Sequence, residues 1–252
     1  MKIVMISDIH GNLPALKAFI KQMKTINPDK IINLGDNISM GPYQKETIYE
    51  LMKYPKWEFL KGNHEKYYLM DFVGERSMPF PEEEKEHYEW VKEQLKEKEI
   101  RDFIESFKDK YEIEVEVQGL KKKITFVHYP YIINNNNNIN FDKELLTEKS
   151  DVTLIDKYLY RYNTDYLIIG HTHDTFKLCN KEKTKMLYSI GSLGCSRNSV
   201  AIFTIMSIEE NKIHFQNYAF GYKGADILKE MEKRNIPAAE HILKEFMPRC
   251  YW

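Results

Sequence analysis

Asp8 and His10 stand two residues apart in Ser7-Asp8-Ile9-His10-Gly11-Asn12, directly after the apolar run Ile3-Val4-Met5-Ile6. Carboxylate oxygen and imidazole nitrogen are donors suited to a divalent transition metal. The run before them reads as a buried β-strand. Residues i and i+2 of a strand share a face, so an extended backbone carried past Ile6 predicts that both side chains converge on one point. The arrangement recurs down the chain. Ile31 to Leu34 lead through Gly35 to Asp36 and Asn37, and Phe59-Leu60 lead through Gly62 to Asn63, His64 and Glu65. Ile124 to Val127 end on His128, and Tyr166 to Ile169 lead through Gly170 to His171-Thr172-His173. Alone, a strand-end histidine such as His128 is more often a packed or solvent-facing residue than a ligand. In an ordered set of strand ends that all finish on a donor, it becomes a candidate. Sites in open α/β sheets form beyond the C-terminal ends of the strands.

The elements that must position these residues are legible from periodicity. Leu13 to Thr25 reads as an amphipathic helix, with Leu13, Leu16, Phe19, Ile20 and Met23 on one side. Asn12 is a good N-cap for it and Pro14 fits its first turn. A second helix is expected near 45–53, and a Glu- and Lys-rich helical insert over about 71–110, with Tyr88, Trp90, Val91 and Leu95 as core anchors. Tyr111 to Gln118 alternates Glu with Ile and Val, a strand with one exposed face that turns at Gly119 into the run ending at Val127. The polyasparagine tract 134–138 reads as a loop. A helix near 150–162 and four strand-like runs from Thr175 to Tyr218 follow, with a hairpin turn at 209–212. The tail is helical from Ala225 and divided by Pro237. Strands alternating with helices, then a β-rich run, predict two packed sheets flanked by helices. At 252 residues this is one α/β domain, 1–252, with the insert and a helical tail over about 224–252.

Composition narrows the class. Net charge is −1, which gives no signal for a basic nucleic-acid-binding surface. The three cysteines, Cys179, Cys195 and Cys250, form neither a disulfide framework nor a Cys-x-x-Cys zinc site, which favours a reducing compartment. No apolar run is long enough for a membrane span, and the N-terminus begins on a strand rather than a secretory signal. A cytoplasmic location is the expectation. His87, His214 and His241 lie outside the motifs and read as surface or core histidines.

The ordered series Asp8-x-His10, Gly35-Asp36, Gly62-Asn63-His64-Glu65, His128 and Gly170-His171-Thr172-His173 resembles the calcineurin-like metallophosphoesterases. Gly41-Pro42, the Trp90-bearing insert and Ile190-Gly191-Ser192-Leu193-Gly194-Cys195-Ser196-Arg197 resemble their small bacterial and archaeal phosphodiesterase branch. The resemblance implies a four-layer αββα sandwich of two mixed β-sheets with a binuclear metal centre at the sheet edge. It implies that Asp8, His10 and His173 hold the first metal, that Asn63, His128 and His171 hold the second, and that Asp36 bridges them. His64 would be the general acid, protonating the leaving oxygen as a metal-bridging hydroxide attacks phosphorus. Asn12, Asn37 and Arg197 are candidate substrate contacts, and Glu65 a candidate acidic neighbour for His64. Manganese is favoured among Mn, Fe, Zn, Ni and Co.

The expected function is a metal-dependent phosphodiesterase acting on a phosphoester, with nucleotides among the candidate substrates. Two alternatives stand beside it: a phosphomonoesterase or protein phosphatase of the same superfamily, and a non-catalytic scaffold. Phosphatases of the wider family carry an Arg soon after the second-motif Asp. This chain has Asn37-Ile38-Ser39-Met40-Gly41-Pro42 there, and Lys61 before Gly62. Lysine cannot copy the bidentate fork by which arginine binds a terminal phosphate. Oligomeric state is open.

Overall fold

The computed structural model describes residues 1–70, 82–133, 139–141, 145–195 and 199–245. Of the features named above, the polyasparagine tract 134–138, Ser196 and Arg197, residues 71–81 of the insert, and residues 246–252 of the tail with Cys250 lie outside them.

The first sheet joins β1 (Lys2–Ile6), β2 (Lys30–Asn33), β3 (Glu58–Phe59), β11 (Val200–Ile208) and β12 (Ile213–Gly221), in the order β12-β11-β1-β2-β3. The second joins β4 (Lys110–Val117), β5 (Leu120–Val127), β8 (Tyr166–Ile169), β9 (Thr175–Cys179) and β10 (Met186–Ile190), in the order β4-β5-β8-β10-β9. In the first sheet β1, β2 and β3 run parallel out to the β3 edge, with antiparallel β11 and β12 on the other side of β1; in the second β5, β8 and β10 run parallel in the centre, with antiparallel β4 and β9 at the edges. Parallel alignment brings their C-terminal ends to one edge. The continuous apolar runs follow, because both faces of these strands are covered.

Alternation sorts the side chains into three layers of core. Ile3 and Met5 point inward and meet Ile32, Ile124, Phe126 and Ile168 between the sheets. Val4 and Ile6 point outward onto α1 (Leu13–Ile26), α2 (Gln44–Met52), α4 (Glu82–Gln94) and α5 (Lys98–Glu105). On the far side Leu154, Ile155, Tyr158 and Leu159 of α6 (Val152–Arg161) cover Val127, Leu167 and Ile169. The molecule is thus the expected four-layer αββα sandwich. The Asn12 cap behaves as read, its Oδ1 accepting from Ala15 N at 3.1 Å, and Asp151 Oδ1 accepts from Thr153 N at 2.7 Å at the start of α6.

Three features go beyond the sequence reading. Asn63 and His64 begin a helix, α3 (Asn63–Leu69). A small hairpin, β6 (Tyr131–Ile133) with β7 (Ile139–Phe141), follows His128, where only a loop was expected. The tail helices α7 (Ala225–Lys233) and α8 (Ala239–Glu245) bear on the site: Ile227, Met231, Ile236 and Ile242 pack on Met40 and Cys195. No helix among the described residues is long and apolar enough to cross a membrane.

Candidate metal centre

The strand-end residues do converge, by a different local geometry than an extended strand. β1 stops at Ile6, and Asp8 and His10 lie in the left-handed region with φ of 56° and 49°. Asp36, His171 and His173 do the same at 55°, 66° and 59°. Such backbone costs a non-glycine residue roughly 1–3 kcal/mol and persists where surrounding structure enforces it. The enforcement is visible. Asp8 N donates to Gly35 O at 2.9 Å and His10 N to Asp36 O at 3.0 Å, so the turns after β1 and β2 are laced together. His171 N donates to Asp8 Oδ2 at 3.0 Å, which ties the second sheet to the first.

Asp36 sits at the middle. Its Oδ2 lies 3.1 Å from His128 Nε2 and 3.9 Å from both His10 Nε2 and His64 Nε2. On one side of it, His10 Nε2 and His173 Nε2 are 3.3 Å apart, with Asp8 Oδ1 at 3.8 and 3.4 Å from them. On the other, Asn63 Oδ1 is 3.1 Å from His128 Nε2 and 2.9 Å from His171 Nδ1. All seven predicted donors are therefore brought together in two groups that share Asp36.

The donor chemistry fits a divalent cation in each group. His10 Nδ1 faces Ile38 O at 3.1 Å and His128 Nδ1 faces Leu34 O at 2.9 Å. A carbonyl only accepts, so each Nδ1 carries a proton and Nε2 is aimed at the centre, the orientation typical of metal-binding histidines. Asp8 Oδ1 is buried without a hydrogen-bond partner, a costly state unless a cation compensates it.

The charges point the same way. Burial alone would raise the Asp8 carboxyl, but the His173 and His128 imidazoles hold it down at about 2. Against the same burial, His128 and His64 hold Asp36 well below the ordinary carboxylate range. Burial pushes His10, His64 and His171 down to about 4, 3 and 4, so they are neutral near pH 7 and free to coordinate. Burial also opposes charge on His128, yet Asp36 raises it to about 9. That imidazolium supplies positive charge against Asp36, and a cation binding there would displace its proton.

Three expectations need correction. Glu65 does not face His64. Its carboxylate accepts from Gly62 N, Asp36 N and Asn37 N at 2.8, 2.8 and 2.7 Å and from Asn37 Nδ2 at 3.0 Å, pinning the Asp36 turn to the start of α3. Burial and the adjacent Asp36 charge push it up to about 7, while the N–H groups of Asn37 and Asp36 pull it down. Asn37 is fully buried, its amide spent on Glu65 and on Asn33 Nδ2 at 2.5 Å, so it shapes the turn rather than meeting a substrate. Asn12 is likewise buried, its Nδ2 donating to Gly194 O at 2.8 Å and Tyr222 Oη at 3.0 Å.

Sequence reasoning missed the residues that support His64. His64 Nδ1 meets the Tyr88 hydroxyl at 2.7 Å, reached from α4 of the insert. The neighbouring His87 accepts from Met40 N at 3.0 Å through Nε2, while its Nδ1 donates to Pro237 O at 3.2 Å. The histidine read as surface or core thus joins the insert, the Asp36 loop and the tail. A helical face with aromatic residues gives no signal for this, because the partners are distant in sequence.

The calcineurin-like phosphoesterase family model matches residues 1–175. An uncharacterized protein of Methanocaldococcus jannaschii is 26% identical over 251 residues, covering 93% of each chain. Among solved structures, a hypothetical protein from Pyrococcus horikoshii OT3 superposes with a TM-score of 0.76 at 18% identity, over 99% of this chain and 98% of that one. A metallophosphoesterase from Sphaerobacter thermophilus superposes with a TM-score of 0.69 at 20% identity, covering 98% of both. At these identities the two structures speak for the fold.

Proposed function

The chain belongs to the calcineurin-like phosphoesterase family, and on that premise we propose that it is a binuclear metal-dependent phosphodiesterase. One observation carries the reading: two groups of buried and half-buried donors share the Asp36 carboxylate, and a further imidazole, His64, lies beside Asp36 and His10 with its Nε2 3.9 Å from Asp36 Oδ2. Asp8, His10 and His173 would hold one divalent cation, Asn63, His128 and His171 the other, and Asp36 both. Two cations held there would supply Lewis acidity, offsetting phosphoryl charge and lowering the pKa of water.

The chain's own residues do the rest. His64 presents Nε2 toward the centre, 3.9 Å from Asp36 Oδ2, and is turned there by Tyr88 on Nδ1. Burial disfavours a proton on the free ring. The negative charge of an arriving phosphodiester offsets that cost, so the proton is held at Nε2 when a leaving oxygen is present to take it. The preference for a diester rests on the Asp36 loop. Ser39 N is bound by Gln44 Oε1 at 2.7 Å, and the segment carries no arginine. Among the described residues, the Arg234 guanidinium that reaches this loop is occupied by Pro42 O, Glu46 and Glu230.

The test compares an aryl phosphodiester with the matching monoester on metal-loaded protein. Faster turnover of the diester is expected, and a strong monoester preference would reverse the assignment. His64→Ala should keep its metals by elemental analysis and lose on the order of 10²–10⁴ in rate. Full activity in that variant removes His64 from the mechanism.

A further inference from the structure

Cys195 belongs to none of the strand-end motifs, yet the fold delivers it to one half of the centre. The delivery is through backbone. Leu193 N donates to Ser7 O and Gly194 N to Asp8 O, both at 2.9 Å. Ser192 Oγ donates to Asp8 O at 2.9 Å and accepts from Cys195 N at 2.8 Å, which sets the residue's direction. The approach is as close as a polypeptide permits: a Cβ on Gly194 would lie 1.9 Å from Ile9 O, so only glycine lets this loop lie on the Asp8 turn.

The result is that Cys195 Sγ, one ring nitrogen of His10 and one of His173 all lie within 4.8 Å of one another. A second observation points into the same space. Asp8 Oδ1, buried and without a hydrogen-bond partner, is 3.8 and 3.4 Å from Nε2 of those two histidines. Cys195 is buried, 6% exposed, and outside any disulfide.

We propose that Cys195 Sγ is a further donor to the cation held by Asp8, His10 and His173, making that half of the centre a mixed oxygen, nitrogen and sulfur site. The inference rests on the metal-centre reading above. The competing role is plain apolar filler, since Cys195 also touches the cluster of Met40, Ile227 and Met231. Filler accounts for the burial. It does not account for sulfur grouped with two imidazole nitrogens beside an unpartnered carboxylate oxygen. On binding, the thiol proton passes to solvent and the sulfur coordinates as thiolate. Thiolate is a soft ligand that selects zinc or iron over manganese and magnesium. The other half of the centre, Asp36, Asn63, His128 and His171, offers only oxygen and nitrogen. The two halves therefore differ in metal preference, with zinc or iron in the sulfur-bearing one, in place of the manganese expected from the sequence.

The test uses cobalt(II) added to chelator-stripped, reduced full-length protein, for the wild type, Cys195→Ser and Cys195→Ala. Visible d–d bands report bound cobalt, and a near-ultraviolet charge-transfer band reports sulfur ligation. We expect both in the wild type and loss of the charge-transfer band alone in both variants, which retain Cys179 and Cys250. Visible bands without the charge-transfer band in the wild type, or that band unchanged in the variants, overturns the sulfur ligand and leaves the centre standing. No bound cobalt overturns both. Should the variants fail to fold, X-ray absorption of the zinc-loaded wild type decides: a sulfur shell at about 2.3 Å supports the proposal, and its absence refutes it.

Discussion

His87 is a buried imidazole whose neutral form is written into its contacts. Met40 N donates to Nε2 at 3.0 Å, so that nitrogen must keep its lone pair, and Nδ1 already spends its proton on Pro237 O at 3.2 Å. Protonating the ring would set an N–H against the Met40 N–H. Burial accordingly lowers its pKa from 6.5 to about 4. The sign follows from linkage. Below 6.5 the unfolded chain takes up a proton that the folded chain refuses, so the stability contributed by His87 is complete above pH 6.5. It is lost as pH falls toward 4. Between pH 7.5 and 5 these two values give a loss of roughly 2 kcal/mol. His87→Gln stays neutral throughout and should not show it. The assay is urea unfolding of metal-free wild type and variant at both pH values. The site histidines titrate in both proteins and cancel in the difference. The wild type should lose roughly 2 kcal/mol more than the variant on acidification. Parallel pH dependences would refute the reasoning, whatever the absolute stabilities.

Three other outcomes are expected. Gly62→Ala places a methyl carbon 2.0 Å from Asp36 Oδ1 and 2.5 Å from its backbone N, so it should displace the shared carboxylate. We expect roughly 1–3 kcal/mol of destabilisation together with weakened zinc binding by calorimetry; unchanged affinity would contradict the central place of Asp36. Tyr88→Phe removes one hydrogen bond of about 1 kcal/mol from His64, and should lower kcat by about fivefold to tenfold with metal content and KM little changed. Loss of metal instead would make Tyr88 part of the site's framework rather than a positioning residue for His64. Saturating metal at about 100 times Kd should stabilise the stripped protein by roughly 2.7 kcal/mol, read as a rise in Tm, and no rise would argue against cation binding to the native fold.

The site's residue types were legible in the chain because each donor follows an apolar strand, and strand ends are local features. Asp8, His10, Asp36, Asn63, His128, His171 and His173 could be named without coordinates, and their meeting follows once parallel strands bring their C-terminal ends to one edge. The layered fold was legible for a related reason: period-two burial and continuous apolar runs record which faces are covered. The turn geometry was not. Alternation suggests an extended Asp8-x-His10, whereas hydrogen bonds to Gly35 O and Asp36 O hold both residues at positive φ.

What only the tertiary structure decided is the layer behind the donors. Glu65 reads as a helper for His64 because it is adjacent in sequence, but α3 turns it toward the N–H groups of the Asp36 loop. Tyr88 reads as a core aromatic until the insert lays its hydroxyl on His64, and His87 becomes a junction only when Pro237, 150 residues on, is its partner. Cys195 belongs to none of the strand-end donor motifs, and it is the close passage of Gly194 over Ile9 that brings it to His10 and His173. Local sequence specifies which atoms can donate and which strands carry them. Long-range backbone contacts specify which atoms meet, and through burial they set the protonation states that make those meetings chemically useful.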